Sequence, residues 1–253
     1  MKRNQGVFMY LSLAIFVAIF LPIPVISRAI IKRVPPYRAI LEGIVGAAVG
    51  TTLVFILAAA SGNSIFSIMS ESIDYMAKIL ASNQALIESL DMTKATQAEK
   101  IVFFTNFYGE AADAIPSVIC IIAAVSGYIE YIILSKIIKP GGSSAFPMAK
   151  FRYFSLPRKS ILGWAIIYLF SWGITALGIW PDNVLYLNVS GLFNFTFCLQ
   201  GMAVVFTFCY RKRIHQAIAV IIIAFLFISG IGQIVLLLLG ILDLVIGLKG
   251  RLR

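Results

Sequence analysis

The polar residues with the most regular spacing occur in an apolar stretch around residue 190. Small or polar residues recur there at intervals of three or four: Asn188, Gly191, Asn194, Cys198 and Gly201. Residues at these intervals share one face of an α-helix. Because a polar face is costly to expose to lipid, we expect it to point towards other helices or into a wet cavity.

This polar face permits two interpretations. Asn188 and Asn194 can hydrogen-bond to a neighbouring helix, or they can line a cavity for a small-molecule ligand that opens to the outer side beneath Asp182. For a cavity, Trp172 and Trp180 in the preceding apolar stretch offer an aromatic wall. Mostly apolar walls with a few polar groups are typical of ligand pockets. The sequence leaves both interpretations open.

Two carboxylates interrupt apolar stretches and are expected to be buried. Glu130 lies six residues before Lys136, and Asp243 lies six residues before Lys249. Acidic residues inside a membrane usually pair with another group or belong to a proton path. Since both carboxylates lie near a basic end of their stretch, we expect a buried ion pair or a hydrogen bond between helices; for Glu130 the alternative is a proton relay.

Small residues four positions apart let membrane helices approach each other closely. Two such pairs occur early in the chain, Ala14 with Ala18 and Gly46 with Gly50. They can pack helices of the same chain together. Ala14 and Ala18 can alternatively dock a partner subunit in the membrane.

Patterns of catalytic or metal-binding residues are missing from the sequence. His215 is the only histidine, and the three cysteines lie inside apolar stretches without the spacing of metal ligands. The sequence contains no phosphate-binding loop and no dinucleotide-binding fingerprint. We therefore expect no enzymatic activity, no metal site and no cofactor.

The positive charge of the chain is distributed as in a membrane protein. The net charge is +10, although only 13% of the residues are charged and 60% are hydrophobic. Lys and Arg flank the apolar stretches, which is typical of topology signals and of contacts with anionic lipids. We therefore expect the lipid bilayer as a partner, and no nucleic acid.

Apolar stretches long enough for membrane helices recur along the whole chain. They cover residues 7–27, 38–60, 112–137, 160–180, 184–209 and 216–248. A helix needs about 20 residues to cross the hydrocarbon core of a bilayer. The sequence predicts an all-α bundle of six or seven transmembrane helices, forming a single transmembrane domain over residues 1–253.

The number of spans depends on the last stretch, residues 216–248. As one helix it would be roughly 50 Å long, which is too long for an ordinary span. Gly230 and Gly232 near its middle can form a tight turn between two short helices. A hairpin also places the basic segments 28–38, 136–159 and 211–213 and the basic C-terminal residues on the cytoplasmic side. The alternative is one long tilted helix.

Residues 61–111 form the one substantial segment outside these stretches. Apolar residues recur at helical spacing over 65–80 and again over 101–107, with charged residues between them. This pattern predicts amphipathic helices on the outer side, either as a plain connector or as a lid over the bundle.

Several short segments of the C-terminal half carry a resemblance to a known family. They are Phe151-x-x-Phe154-Ser155-Leu156-Pro157, Gln200-Gly201, Arg211-Lys212-Arg213, Leu239-Gly240-Ile241-Leu242-Asp243 and Lys249-Gly250-Arg251-Leu252-Arg253. Their order and spacing resemble the YybS-like family of uncharacterised bacterial polytopic membrane proteins. The resemblance implies a location in a bacterial cytoplasmic (inner) membrane.

The resemblance also implies a function. It implies a fold related to that of the substrate-binding membrane subunits of energy-coupling-factor transporters. Those subunits have six spans, bind a small molecule near the outer face and dock on a partner through small residues of the first helix. Ala14 and Ala18 resemble that docking motif. The expected function is a substrate-binding or transport subunit that needs a partner for energy. The alternative is a membrane scaffold or assembly subunit that transports nothing.

Overall fold

The computed structural model describes residues 2–60, 65–139, 141, 145–178 and 183–251. The regular structure in these ranges is helical: α1 (Lys2–Phe20), α2 (Pro22–Ile31), α3 (Pro36–Ala60), α4 (Ile65–Ala81), α5 (Gln84–Ser89), α6 (Gln97–Asp113), α7 (Ile115–Ile137), α8 (Ser160–Ala176), α9 (Val184–Arg211), α10 (Gln216–Ile228), α11 (Gly230–Ile246) and α12 (Leu248–Arg251). A short 3-10 helix, Phe151–Tyr153, precedes α8.

The predicted all-α bundle of membrane helices is confirmed. Four helical segments of the described chain are long and apolar enough to cross a membrane: Met9–Ile31, Pro36–Ala60, Ile115–Ile137 and Val184–Arg211. The bent pair α10–α11 counts as a fifth if it forms one span, and α8 is apolar but only 17 residues long. Length and composition therefore give four or five spans, so the predicted number of six or seven is not confirmed.

The helices group into two compact units, Met1–Pro147 (unit 1) and Met148–Arg253 (unit 2). In unit 1, the glycine-rich face of α3 packs against α1 and α2. A Cβ atom on Gly43 would lie 3.0 Å from Ile26 Cγ1, and one on Gly50 would overlap Leu21 Cδ2. The predicted small-residue face of this helix therefore brings helices of the same chain together.

Ala14 and Ala18 are also buried inside unit 1. Both residues have 0% of their surface exposed in the described chain. A residue without exposed surface can contact another subunit only if its own helix moves away from its neighbours. Burial therefore favours the interpretation that these two alanines pack helices of the same chain, and their docking role stays a prediction.

The segment between the second and third long helices of unit 1 folds as the amphipathic pattern predicts. Helices α4 and α6 pack together, and α5 lies in the connection between them. Their shared core contains Ala77, Ala81, Ile87 and Phe104.

Helix α6 begins with a capping box. Thr96 Oγ1 accepts from the Glu99 amide at 3.3 Å, and the Thr96 amide donates to Glu99 Oε2 at 2.7 Å. The Thr96 hydroxyl lies 2.9 Å from the same carboxylate oxygen. The bond from the Thr96 amide, followed by that from its hydroxyl, lowers the pKa of the Glu99 carboxyl, because both favour the charged form.

The central contact of unit 2 is between α9 and α11, whose backbones touch. A Cβ atom on Gly201 would overlap the carbonyl oxygen of Leu236, and one on Gly240 would overlap the carbonyl oxygen of Phe197. Cys198 Sγ lies 3.6 Å from the Gln233 carbonyl oxygen at the same interface. Only glycine at positions 201 and 240 permits this approach.

The last apolar stretch is broken at Ser229. Helices α10 and α11 meet there at a bend of 108°, so the alternative of one long tilted helix is wrong. Ser229 Oγ accepts from the Gly232 amide at 3.1 Å, and Gln233 Nε2 donates to the Phe227 carbonyl oxygen at 2.7 Å. These bonds satisfy backbone groups that the break would otherwise leave unpaired in an apolar environment.

The two arms of the bent pair return to one end of unit 2. Helix α10 starts soon after Arg211, the last residue of α9, and the residues that follow α11 line one cavity together with Tyr210 and Arg211. At 1.5 Å per residue the arms measure roughly 20 and 25 Å, short of a hydrocarbon core of about 30 Å. The basic segments of unit 2 thus share one end, as the charge distribution predicts.

The backbone contact between α9 and α11 predicts the effect of adding a single methyl group. Gly201→Ala should lower the free energy of unfolding by about 1–3 kcal/mol, because the new Cβ forces the two backbones apart. Gly173→Ala on α8 is the matched control, since no atom lies within 4 Å of its Cβ position. Thermal unfolding in detergent measures the stability of both variants. If Gly201→Ala and Gly173→Ala unfold at the same midpoint temperature, the contact between the two backbones is contradicted.

Candidate functional site

The polar face predicted on α9 is divided in the structure. Cys198 and Gly201 are buried against α11, whereas Asn194 is exposed on the described chain. The side-chain amide of Asn188 donates to the Val184 carbonyl oxygen of its own helix at 2.8 Å. Neither asparagine lines the cavity described below.

The aromatic residues between α8 and α9 are not the ones that the sequence suggests for a ligand wall. Tyr168 and Tyr186 share a hydrogen bond of 2.7 Å between their hydroxyl groups, and Phe193 packs against Trp164 with ring centroids 6.0 Å apart. Trp172 is 56% exposed. Trp180 and Asp182 lie outside the described residues. The ligand site at these positions therefore stays a prediction.

Glu130 is half-buried in α7. In the part of the chain that the structure describes, no group forms a hydrogen bond with its Oε2 atom. The ion pair or hydrogen bond expected for Glu130 is thus not seen at this oxygen.

Asp243 lies at the centre of a buried polar network in unit 2. Its Oδ2 atom accepts from Gln200 Nε2 at 2.5 Å and lies 3.2 Å from Lys249 Nζ, while Oδ1 accepts from the Lys249 amide at 2.7 Å. Only 4% of the Asp243 side chain and 12% of the Lys249 side chain are exposed. One cationic side chain, one polar side chain and one backbone amide therefore compensate the buried carboxylate of Asp243.

The same network holds the segment before α8 against α9 and α11. Gln200 Oε1 accepts from the Leu156 amide at 3.0 Å, and Lys249 Nζ donates to the Phe154 carbonyl oxygen. Thr207 Oγ1 donates to the Arg152 carbonyl oxygen at 3.1 Å. The segment 151–156 has little regular structure of its own, so these contacts from side chains of α9 and from Lys249 determine its position.

A cavity of about 710 Å³ opens beside this network. Its walls come from three parts of unit 2, namely the segment before α8, the end of α9 and the end of α11 with α12. The lining residues are Arg152, Tyr153, Ser155, Leu156, Arg158, Thr207, Tyr210, Arg211, Asp243, Leu244, Gly247, Lys249 and Gly250. Four of these lining residues are cations and one is a carboxylate, so the cavity is basic.

Aromatic contacts hold one of these cations in place. The guanidinium carbon of Arg152 lies 3.7 Å from the ring centroid of Tyr210 and 4.7 Å from that of Tyr153. Arg152 Nη2 also donates to the Tyr153 hydroxyl at 2.8 Å. Its buried Nε has no hydrogen-bond acceptor among the described residues. The orientation of this guanidinium is fixed while part of its donor capacity stays unused.

The sequence pattern does not reveal most of this cavity. From the sequence alone, the cations of 150–159 and 211–213 are explained by membrane topology, and Gln200 is not among the residues proposed for a ligand. Of the described residues proposed from the sequence as ligand, docking or buried-charge sites, Asp243 alone reaches the cavity wall. A signal was available in the segments that carry the resemblance, because Gln200, Asp243, Lys249 and the 151–157 segment meet in this network.

The helices and their apolar lengths define the chain as a polytopic helical membrane protein. It belongs to the family described as "Predicted membrane protein (DUF2232)", whose model matches residues 5–244. The predicted family is confirmed.

A curated relative supports the same assignment. The chain is similar to the "Uncharacterized protein YybS" of Bacillus subtilis (strain 168), with 21% identity over 141 residues. That match covers 54% of this chain and 44% of the Bacillus protein, so it spans less than half of that relative's length. No solved structure matches the chain.

The network predicts that Asp243 and Lys249 depend on each other. Asp243→Asn should lower the free energy of unfolding by about 3 kcal/mol, because it leaves the ammonium group of Lys249 buried without its counter-charge. Adding Lys249→Met should restore part of that loss, since the uncompensated cation is then removed. Unfolding in mixed micelles with an increasing SDS fraction measures the free energy of unfolding of the unchanged protein and of both variants.

The control is Glu42→Gln, which breaks the exposed Arg38–Glu42 pair of 3.1 Å. It should cost less than about 1 kcal/mol, as exposed ion pairs do. An Asp243→Asn variant that is as stable as Glu42→Gln would contradict the role of the network.

Proposed function

We propose that this membrane protein is a ligand-binding subunit without enzymatic activity, and that the cavity of unit 2 is its binding site. The observation that carries the proposal is the size and lining of this cavity. Ligand pockets usually measure about 300–1,000 Å³ and combine apolar walls with a few fixed polar groups. Here Leu156 and Leu244 supply apolar surface and Arg152 is held by two tyrosine rings, within about 710 Å³.

We further propose that a partner protein supplies energy for transport of the bound ligand, in a bacterial cytoplasmic membrane. Two points support this part. The family resemblance implies transporter subunits that rely on a partner, and the sequence carries no nucleotide-binding motif. Because Ala14 and Ala18 are buried within the chain, the partner docks through another surface or after a movement of α1.

The alternative function is a membrane scaffold that transports nothing. It depends on small-residue faces that bind other proteins, and those of α1 and α3 are packed inside unit 1. A basic cavity with an ordered arginine is needed for ligand binding, whereas a scaffold does not require one. These two observations favour the ligand-binding subunit.

The test is whether a small molecule stays with the protein through purification. The protein is extracted in a mild detergent, and bound compounds are released and identified by mass spectrometry. Gly250→Trp should reduce the retained ligand several-fold, because Gly250 lines the cavity and no atom within 4 Å of its Cβ position opposes a larger side chain.

The matched control is Gly163→Trp on α8, where the Cβ position is equally free but lies outside the cavity. It should retain as much ligand as the unchanged protein. If the two variants retain equal amounts, the cavity is not the binding site. If only proteins and no small molecule co-purify, the scaffold alternative is favoured.

A further inference from the structure

We propose that the unit 2 cavity binds a phosphate-type anion, either the headgroup of an anionic phospholipid or the phosphate group of a water-soluble compound. This inference rests on the proposed function and names the chemical class of the ligand. The two sources share one recognition chemistry, in which guanidinium groups donate hydrogen bonds to phosphate oxygens.

The first argument is the charge that the cavity leaves uncompensated. Among the described residues that line the cavity, Asp243 is the one carboxylate, and Lys249 and Gln200 already engage it. Among the residues that the structure describes, no carboxylate pairs with Arg158 or Arg211, and neither guanidinium group donates a hydrogen bond to another described residue. Within this described part, three arginines thus line the cavity without a counter-charge. A phosphate, with its several oxygens, can accept from more than one of them.

The second argument is preorganisation. Tyr210 and Tyr153 hold the Arg152 guanidinium, and its Nε is buried without an acceptor in the described chain. A buried donor without a partner is costly, and a ligand oxygen would relieve that cost. The side chain is ordered before any anion arrives, so less conformational entropy is lost on binding.

The third argument is the position of the cavity. It lies where α9 and α11 end, among the basic residues that flank the apolar helices of unit 2. Phospholipid phosphates lie at the ends of membrane helices, and basic pockets between such helices bind lipid headgroups. A water-soluble phosphate can reach the same depth from the aqueous side.

The experiment uses two double variants of the full chain with the same change in charge. Arg158→Gln/Arg211→Gln removes two cations that line the cavity, whereas Lys159→Gln/Lys212→Gln removes their sequence neighbours, which do not line it. The probes are phosphatidylglycerol, phosphatidylcholine and glycerol 3-phosphate. Binding constants are measured by calorimetry in an uncharged detergent, and thermal unfolding midpoints check that each variant is folded.

We expect phosphatidylglycerol or glycerol 3-phosphate to bind the unchanged protein. The arginine double variant should bind at least about tenfold more weakly, whereas the lysine double variant should change by less than about threefold, because only the former removes direct donors to the anion. Binding of phosphatidylglycerol alone assigns a lipid headgroup. Binding of glycerol 3-phosphate with the same response to the variants assigns a water-soluble phosphate.

Three outcomes would overturn the inference: no binding of either phosphate probe, equal binding of phosphatidylcholine and phosphatidylglycerol, or equal weakening by the two double variants. Failure of the inference can be distinguished from failure of the proposed function. If a compound co-purifies, is lost in Gly250→Trp and is not displaced by either probe, the cavity binds a ligand of another class. If no compound co-purifies and no probe binds, both proposals fail.

Discussion

The carboxylate of Asp243 joins three parts of unit 2 that lie far apart in sequence. It accepts from Gln200 on α9, pairs with Lys249 beyond the end of α11, and through these two side chains acts on the segment that precedes α8. A charge buried in apolar surroundings is tolerated only when its partners are in place. Gln200 and Lys249, the partners of this carboxylate, also hydrogen-bond to the segment before α8. They therefore position that segment, which has little regular structure of its own and forms part of the cavity wall.

This network depends on how closely α9 and α11 approach. Glycines at 201 and 240 let the two backbones touch, which brings Gln200 within hydrogen-bonding distance of Asp243. The break at Ser229 is equally necessary, because it returns the chain to the end of unit 2 where α9 finishes. Side-chain hydrogen bonds at the break satisfy its free backbone groups, so a bend of 108° is tolerated in an apolar stretch.

Hydropathy and charge predict the membrane helices well. Long apolar runs match the thickness of the hydrocarbon core, and basic residues flank the segments that cross it. The turn near Gly230 and the amphipathic α4 and α6 also follow from the sequence pattern. The cavity does not, since Arg152 and Arg211 come from segments whose approach depends on tertiary packing. For the same reason the sequence cannot tell whether Ala14 and Ala18 face a neighbouring helix or a partner, whereas the structure buries both.

Hydrogen–deuterium exchange of the 151–157 segment tests most directly whether Asp243 positions the cavity wall. The comparison is between the unchanged protein and Asp243→Leu, whose side chain branches at the same carbon but offers no hydrogen-bond acceptor. Exchange of the Leu156 amide should become faster by about tenfold or more, while α3 in unit 1 stays protected, because Gln200 loses the group that orients it. Unchanged protection of the 151–157 segment in a folded variant would contradict the role assigned to this carboxylate.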